Sequence, residues 1–124
     1  MRFVYKIVGV EEWREAAARG SFRGSAVDLS DGYMHFSTAE QVPETAARHF
    51  LGRPDLLLAA VDIDKLGEAL RWEPSRGGAL FPHLYAALPL DQVVWSKRFS
   101  SRRADEIGGL IAGDVHDAPR DCAP

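Results

Sequence analysis

The chain has 124 residues, of which 46% are apolar and 27% charged, a balance that excludes wholesale disorder, collagen-like repeats and a coiled coil. Fifteen basic and eighteen acidic side chains give a net charge of −3, which argues against a dedicated nucleic-acid-binding protein. The single cysteine, Cys122, excludes an internal disulfide and a thiolate metal cluster, so the composition indicates one small globular domain.

Neither a secretion signal nor a membrane-spanning segment is predicted. The apolar stretch 3–8 is interrupted by Lys6 and followed by two glutamates, which is unlike a signal peptide. The longest unbroken apolar run, residues 56–61, is far shorter than the roughly 20 residues that a membrane helix needs. We therefore expect a cytoplasmic protein with no membrane partner.

The first part of the chain predicts a strand, a helix and a second strand. Residues 3–8 are β-branched and aromatic, which is typical of a strand. Small and aromatic residues from Trp13 to Gly20 recur at helical spacing, and Gly20 suits the end of that helix. Residues 21–32 are rich in Gly, Ser and Asp and are expected to form a loop, whereas residues 33–37 predict a strand.

The rest of the chain predicts four more strands and two helices. Thr38 and Gln41 match a capping box, which predicts a tight turn followed by a helix over residues 43–51. The continuous apolar character of residues 56–62 predicts a strand covered on both faces. Further strands are expected at residues 70–73, 81–85 and 93–99, and a helix at residues 103–111.

This order of elements predicts an α+β fold. We expect curved, mostly antiparallel sheets with two or three helices. A single domain would cover residues 1–114, and residues 115–124, with two prolines and little apolar content, would form a flexible tail.

Strand alternation places polar side chains on the second face of the predicted strand 33–37. Met34 and Phe36 point to one side of it, which we assign to the core. His35 and Ser37 then point to the other side, and two further strands repeat this arrangement.

In the predicted strand 70–73, Arg71 and Glu73 lie opposite the apolar face. In the predicted strand 81–85, His83 and Tyr85 share a face, opposite the core side. If these strands are neighbours, two imidazoles, a carboxylate, a phenol and a hydroxyl line one concave surface. Polar groups set among aromatic walls are typical of a small-ligand site.

Each of these residues also has a structural interpretation. A histidine on a strand often serves only as a hydrogen-bonded structural group. Tyr85 fits an ordinary half-buried aromatic residue with its hydroxyl in water. Thr38 already has a capping function. The three tryptophans, Trp72 among them, are expected in the core.

Other catalytic signatures are missing from the sequence. His35, His83 and Glu73 are suitable types of metal ligand, but their spacing matches no compact metal motif. The chain has no G-x-S-x-G nucleophile turn, no P-loop and no glycine-rich dinucleotide fingerprint. We therefore expect no metal cofactor.

Two segments resemble motifs of the bacterial and plant family called domain of unknown function 952. They are Asp31-Gly32-Tyr33-Met34-His35-Phe36-Ser37-Thr38-Ala39-Glu40-Gln41 and Phe81-Pro82-His83-Leu84-Tyr85. The resemblance extends from Tyr5 to about Val94 and so covers most of the chain. One departure is Ala86, where members tend to have glycine.

The resemblance implies a fold similar to that of the ADP-ribosyltransferases, near the RNA 2′-phosphotransferases, which bind NAD in a cleft between two small sheets. In those enzymes a histidine on an early strand, followed by small hydroxyl residues, holds the nicotinamide ribose. Together with the strand faces, this implies a catalytic set and a ligand-binding set. The catalytic set is His35, Glu73 and Tyr85, and the ligand-binding set is Ser37, Thr38, His83 and Arg71.

The resulting hypothesis is a protein that binds NAD or a related nucleotide as substrate and acts on its glycosidic bond. Positive charge develops on the ribose as that bond breaks, and nearby carboxylates stabilise it. The alternative is a non-catalytic small-molecule binding module with the same cleft, and a third hypothesis is a metal-dependent enzyme. RNA is an unfavourable partner for an acidic chain. The oligomeric state stays open.

Overall fold

Three small antiparallel sheets and three α-helices form the part of the chain that the computed structural model describes, residues 2–100. The strands are β1 (Phe3–Gly9), β2 (Ser21–Phe22), β3 (Met34–His35), β4 (Leu56–Asp62), β5 (Leu70–Pro74), β6 (Leu80–Leu84), β7 (Leu88–Pro89) and β8 (Val93–Phe99). The helices are α1 (Val10–Arg19), α2 (Ala26–Asp31) and α3 (Val42–His49). The predicted α+β class with antiparallel sheets is confirmed.

The first sheet has the order β1-β4-β8, with β4 in the middle. All seven residues of β4 are buried, as its apolar run predicts for a strand covered on both faces. Alternate side chains of β4 enter two different clusters. The first core cluster includes Leu57, Ala59 and Val61 with Phe22, Met34, Phe36 and Leu84. The second core cluster includes Leu56, Leu58 and Ala60 with Tyr5, Ile7, Val42, Ala46 and Phe99.

The second sheet has the order β3-β6-β5, and its register brings the candidate residues together. His35 of β3 pairs with His83 of β6, and His83 pairs on its other side with Arg71 of β5. Just beyond β3, Ser37 and Tyr5 exchange two backbone hydrogen bonds of 2.8 Å. This bridge joins the second sheet to β1 of the first sheet.

Helix α2 lies in residues 21–32, which the composition predicts as a loop. The structure contradicts that prediction, because this segment holds both α2 and the two-residue strand β2. Only six residues long, α2 is too short to show a helical apolar period, and its apolar residues Val27 and Leu29 are exposed. A capping box and a distant charge support it instead: the buried Asp28 carboxylate accepts a hydrogen bond from the Ser25 N–H at 2.9 Å and lies 2.7 Å from the Lys6 Nζ.

The capping box at Thr38 and Gln41 is confirmed. The Gln41 side chain accepts from the Thr38 N–H at 3.0 Å, and the Gln41 N–H donates to the Thr38 hydroxyl at 3.3 Å. The predicted helix follows as α3, which begins at Val42 with a proline in its first turn.

Trp72 differs from its predicted place in the core, because 40% of its surface is exposed. It lies on β5, which has a neighbouring strand on one side only, at the edge of the second sheet. The predicted helix 103–111, the predicted tail 115–124 and Cys122 lie outside the described residues. No helix within residues 2–100 is long and apolar enough to cross a membrane.

Candidate functional site

A cavity of about 580 Å³ opens between the two larger sheets. Its walls come from β1, α2, α3, β6 and the segment that continues β3, with Arg53 and Ser75 from the connecting loops. Both histidines of the paired strands, His35 and His83, line this cavity, and their ring centroids are 5.5 Å apart. Two of the three strands that the sequence predicts as carriers of polar side chains therefore meet at one concave surface.

Asp28 is the best-connected side chain of the site. Only 1% of its side chain is exposed, and its Oδ2 lies 2.7 Å from the Lys6 Nζ. Its Oδ1 accepts from the backbone N–H of His35 at 3.1 Å and lies 2.7 Å from the His35 Nδ1. Burial alone would raise the pKa of this carboxyl, but the His35 hydrogen bond and the Lys6 charge outweigh burial and hold the pKa far below 3.8. Asp28 is therefore an ionised carboxylate.

Lys6 points into the molecule from an otherwise apolar strand. Its side chain is only 4% exposed, and its Nζ donates both to Asp28 and to the backbone carbonyl of His35, the latter at 3.0 Å. Burial lowers the pKa of Lys6, and the neighbouring Asp28 carboxylate opposes that change. Lys6 and Asp28 together hold both the backbone and the ring of His35.

His35 lies between two carboxylates. Its Nδ1 faces Asp28, and its Nε2 lies 2.9 Å from the Oδ2 of Asp31 at the end of α2. Each ring nitrogen of His35 therefore has a carboxylate partner within hydrogen-bond distance. The His35 side chain is 33% exposed and the Asp31 side chain is 43% exposed. The site therefore presents a fixed imidazole with an accessible carboxylate beside it.

His83 is held by a different carboxylate. Its Nδ1 lies 2.8 Å from the Oε1 of Glu73, and the Tyr85 hydroxyl donates to the same oxygen at 2.8 Å. These two hydrogen bonds, His83 first, lower the pKa of Glu73. The bond to the Glu73 carboxylate in turn raises the pKa of Tyr85.

Tyr33 packs among the three residues predicted to share a face. Its ring stacks on His83 at a centroid distance of 4.2 Å and contacts His35 at 4.8 Å and Tyr85 at 5.2 Å. Partial burial and the neighbouring Asp31 carboxylate raise the pKa of Tyr33. On the far side of Tyr85, the Arg71 guanidinium lies 5.0 Å from the ring centroid.

The structure separates the predicted site residues into two groups. His35, Ser37 and His83 line the cavity. The other four residues do not belong to its described lining. Glu73 is hydrogen-bonded to His83, and Tyr85 donates to Glu73. Arg71 packs on the Tyr85 ring, and Thr38 caps the start of α3. Their catalytic and ligand-binding roles stay predictions.

Sequence reasoning missed Lys6, Asp28, Asp31 and Tyr33. Lys6 carried a usable signal, because a lysine inside an apolar strand needs a buried partner. Asp31 carried a weaker signal, since it precedes His35 by four residues. Asp28 carried a local signal, because Ser25 and Asp28 have the spacing of a capping box, which the structure contains. Within residues 2–100, no group of three or more His, Cys, Asp or Glu side chains is arranged to hold a metal ion.

Comparison with known proteins identifies similar chains. The family model described as "Protein of unknown function (DUF952)" matches residues 7–96. The crystal structure of protein CC0527 from Caulobacter crescentus is 51% identical, with a TM-score of 0.76 over 77% of this chain and 84% of that one. The solution NMR structure of CC0527 is 52% identical, with a TM-score of 0.71 over 78% of this chain and 84% of that one. No curated protein matches this chain.

Proposed function

The chain belongs to the DUF952 family, and we propose that its cavity binds NAD or a related nucleotide and that the protein acts on the N-glycosidic bond between the ribose and the base. We also propose that this cavity resembles the NAD-binding cleft of the ADP-ribosyltransferases. The observation that carries it is the pair of carboxylate-held imidazoles, His35 and His83, at one cavity between two sheets.

The size and walls of the cavity suit a nucleotide. Small-molecule sites typically have about 300–1,000 Å³, and this cavity has about 580 Å³. Phe36, Phe50 and Phe81 contribute apolar surface against which a base or ribose can pack. Hydroxyl side chains, Ser37 and Thr45 among them, line the same space and can bond to ribose hydroxyls.

The charges of the lining suit a reaction that builds positive charge on the ribose. Carboxylates lie at Glu12, Asp28 and Asp31, against the basic side chains of Lys6 and Arg53. Lys6 is already paired with Asp28, which leaves Asp31 as the accessible carboxylate beside His35. Cleavage of the bond to a pyridinium base leaves an oxocarbenium-like ribose, which a fixed carboxylate stabilises. Arg53, just after α3, supplies positive charge for the phosphates.

A non-catalytic binding module is the second candidate, and one observation favours it. The Nε2 of His35, the residue predicted to be catalytic from its motif, is already engaged by Asp31 at 2.9 Å. An imidazole held at both nitrogens binds and orients a ligand but has no free lone pair for proton transfer.

Titration calorimetry tests ligand binding. We expect heat on addition of NAD and of ADP-ribose, and weaker binding of nicotinamide alone. His35→Ala removes a charge-assisted partner from the cavity wall, so the Kd for ADP-ribose should rise about tenfold or more. Glu68→Ala, an exposed position on the connection between β4 and β5, is the control and should bind as the wild type does. The absence of heat with every nucleotide at millimolar concentration contradicts the proposal.

Product analysis separates the two candidates. Mass spectrometry of NAD incubated with the protein should detect free nicotinamide if the glycosidic bond is cleaved. Binding of ADP-ribose and NAD without nicotinamide release would instead support the non-catalytic module.

A further inference from the structure

We infer that His83, held by Glu73, is the general base of the proposed reaction, and that its Nε2 takes the proton from the water that attacks the ribose. This inference rests on the proposed function and deepens it, because it assigns the proton transfer to His83 and gives Glu73 a positioning role. The carboxylate that the sequence suggests as a catalytic group then acts through a histidine.

The Glu73 carboxylate determines the tautomer of His83. Its Nδ1 lies 2.8 Å from the Glu73 carboxylate, and an ionised carboxylate accepts but cannot donate. The proton of the neutral ring is therefore on Nδ1, and the lone pair is on Nε2. Tyr85 donates to the same Glu73 oxygen at 2.8 Å and so fixes the carboxylate in turn.

The surroundings of the other ring nitrogen of His83, Nε2, determine whether it can accept a proton. His83 is only 4% exposed, and its Nε2 makes no hydrogen bond with any described residue. Trp95 Nε1 is the one fully buried side-chain nitrogen or oxygen without a partner in residues 2–100. His83 is one of the residues that line the 580 Å³ cavity, and we assign its Nε2 to that space. This assignment gives the candidate site a largely buried ring nitrogen that has no partner among residues 2–100.

His35 and His83 differ in what their Nε2 atoms contact. The Nε2 of His35 is occupied by Asp31, whereas the Nε2 of His83 is not occupied by any described side chain. Tyr33 stacks on the His83 ring at 4.2 Å and restricts its rotation. His35 and Asp31 therefore serve to bind the ribose and stabilise its charge, and His83 is the ring placed for proton transfer.

The step balances with water as the co-reactant. The bond from ribose C1′ to the pyridinium nitrogen breaks, and its electron pair neutralises that nitrogen as nicotinamide leaves. A water oxygen forms the new bond to C1′ and gives one proton to the His83 Nε2. Asp31 lies on the side of the developing positive charge, and Glu73 stabilises the imidazolium that His83 becomes.

Three variants test the inference: His83→Gln, Glu73→Gln and the exposed control Glu68→Gln. In His83→Gln the kcat for nicotinamide release should fall by about 10²–10⁴, the usual contribution of a general base, while the Kd for ADP-ribose changes less than about tenfold. Glu68→Gln should match the wild type in both. A His83→Gln variant that keeps the wild-type kcat overturns the inference and leaves the proposed function standing.

The positioning role of Glu73 has a separate readout. The groups that face His83 are Glu73 and Arg71 on β5, Tyr85 just after β6, and the rings of Tyr33 and His35. Removing the Glu73 charge should move the acid limb of the pH–rate profile to lower pH and reduce kcat more than KM rises. An unchanged profile in Glu73→Gln contradicts the role.

Nitrogen NMR supplies a readout that does not depend on turnover. Long-range ¹H–¹⁵N correlation of the wild type at neutral pH should show His83 as the Nδ1–H tautomer, and Glu73→Gln should show a mixture. A protonated Nε2 in the wild type overturns the inference whether or not the protein releases nicotinamide. Wild-type protein that binds ADP-ribose but never releases nicotinamide overturns both the glycosidic activity and the base.

Discussion

Asp28 is an ionised carboxylate although only 1% of its side chain is exposed. Contacts with three residues keep it ionised. Lys6 neutralises it, His35 donates to it twice, and the backbone of Ser25 supplies a further hydrogen bond. A buried ion pair of this kind is weak evidence for net stability, but removing one partner leaves the other charge buried without compensation. The pair therefore ties the fold to the geometry of His35.

Asp28→Asn should destabilise the protein by about 3–5 kcal/mol, because Lys6 is then buried without a counter-charge. Urea unfolding followed by circular dichroism measures the change. The double variant Lys6→Met, Asp28→Asn should lose less than the sum of the two single variants, since no unpaired charge remains. Asp64→Asn, at an exposed aspartate on the turn after β4, is the matched control and should differ little from the wild type. Equal effects of Asp28→Asn and Asp64→Asn would contradict this account.

The lowered pKa of Asp28 also predicts an acid-sensitive fold. Its pKa lies below the ordinary 3.8 in the folded state, so the unfolded chain takes up the proton first as the pH falls. The stability that Asp28 contributes is complete well above pH 3.8 and is lost as the pH falls toward the folded pKa. The lowered pKa of Glu73 acts in the same direction.

The measurement is the free energy of unfolding from pH 6 down to pH 3. The free energy of unfolding of the wild type should decrease over this range. The decrease should be smaller in Asp28→Asn, because one of the carboxylates with a lowered pKa is gone. A wild-type free energy of unfolding that stays constant, or that increases toward acid pH, would contradict this prediction.

At the scale of the element, α2 and the turn that ends it position the acidic side of the site. Gly32 ends α2 in the left-handed region, with φ +88°, and the chain passes from there directly to Tyr33 and His35. Gly20 ends α1 in nearly the same conformation, with φ +89°, outside the cavity lining. An added Cβ meets no atom within 4 Å at either position, so the two glycines form a matched pair.

Gly32→Ala and Gly20→Ala should each lower the stability by about 1–2 kcal/mol, the cost of a left-handed conformation for a residue with a Cβ. Only Gly32→Ala should also weaken the binding of ADP-ribose, because only this turn sets the distance between Asp31 and His35. Urea unfolding and calorimetry on both variants measure the two effects. Equal binding by the two variants would show that the α2 turn does not position the site.

Local sequence signals predict the long elements, whereas α2 has a capping box but no apolar period. The helical spacing before Gly20, the capping box at Thr38 and the apolar run of β4 each describe a free-energy preference of a few adjacent residues, and the structure contains all three elements. Helix α2 also depends on the charge of Asp28, whose partner Lys6 is 22 positions away in the sequence. The part of its stability that a distant charge supplies leaves no local pattern to read.

At the scale of the whole molecule, β4 connects the two core clusters. Leu58 is fully buried in the second core cluster, while its neighbours Leu57 and Ala59 point into the first. A loss of packing on either face therefore destabilises the strand that both faces share. We expect the two clusters to unfold together.

Leu58→Ala should destabilise the protein by about 2–5 kcal/mol, the usual cost of truncating a fully buried leucine. Tryptophan fluorescence and far-UV circular dichroism should give coincident urea transitions in both wild type and variant. Because Leu58 is not part of the described cavity lining, the variant should bind ADP-ribose as the wild type does at temperatures where it is folded. Two separate transitions would contradict the coupling of the clusters.

In the predicted strands 33–37 and 81–85, the sequence by itself determined which side chains share a face, because alternation in a strand is a property of neighbouring residues. His35, Ser37 and His83 follow from it and line the cavity. Only the tertiary structure decided how those residues are held. The pairing of β3 with β6, the Lys6–Asp28 contact and the bond from Glu73 to His83 join segments far apart in the chain. Which nitrogen of each histidine faces the cavity depends on those contacts, and no local pattern encodes it.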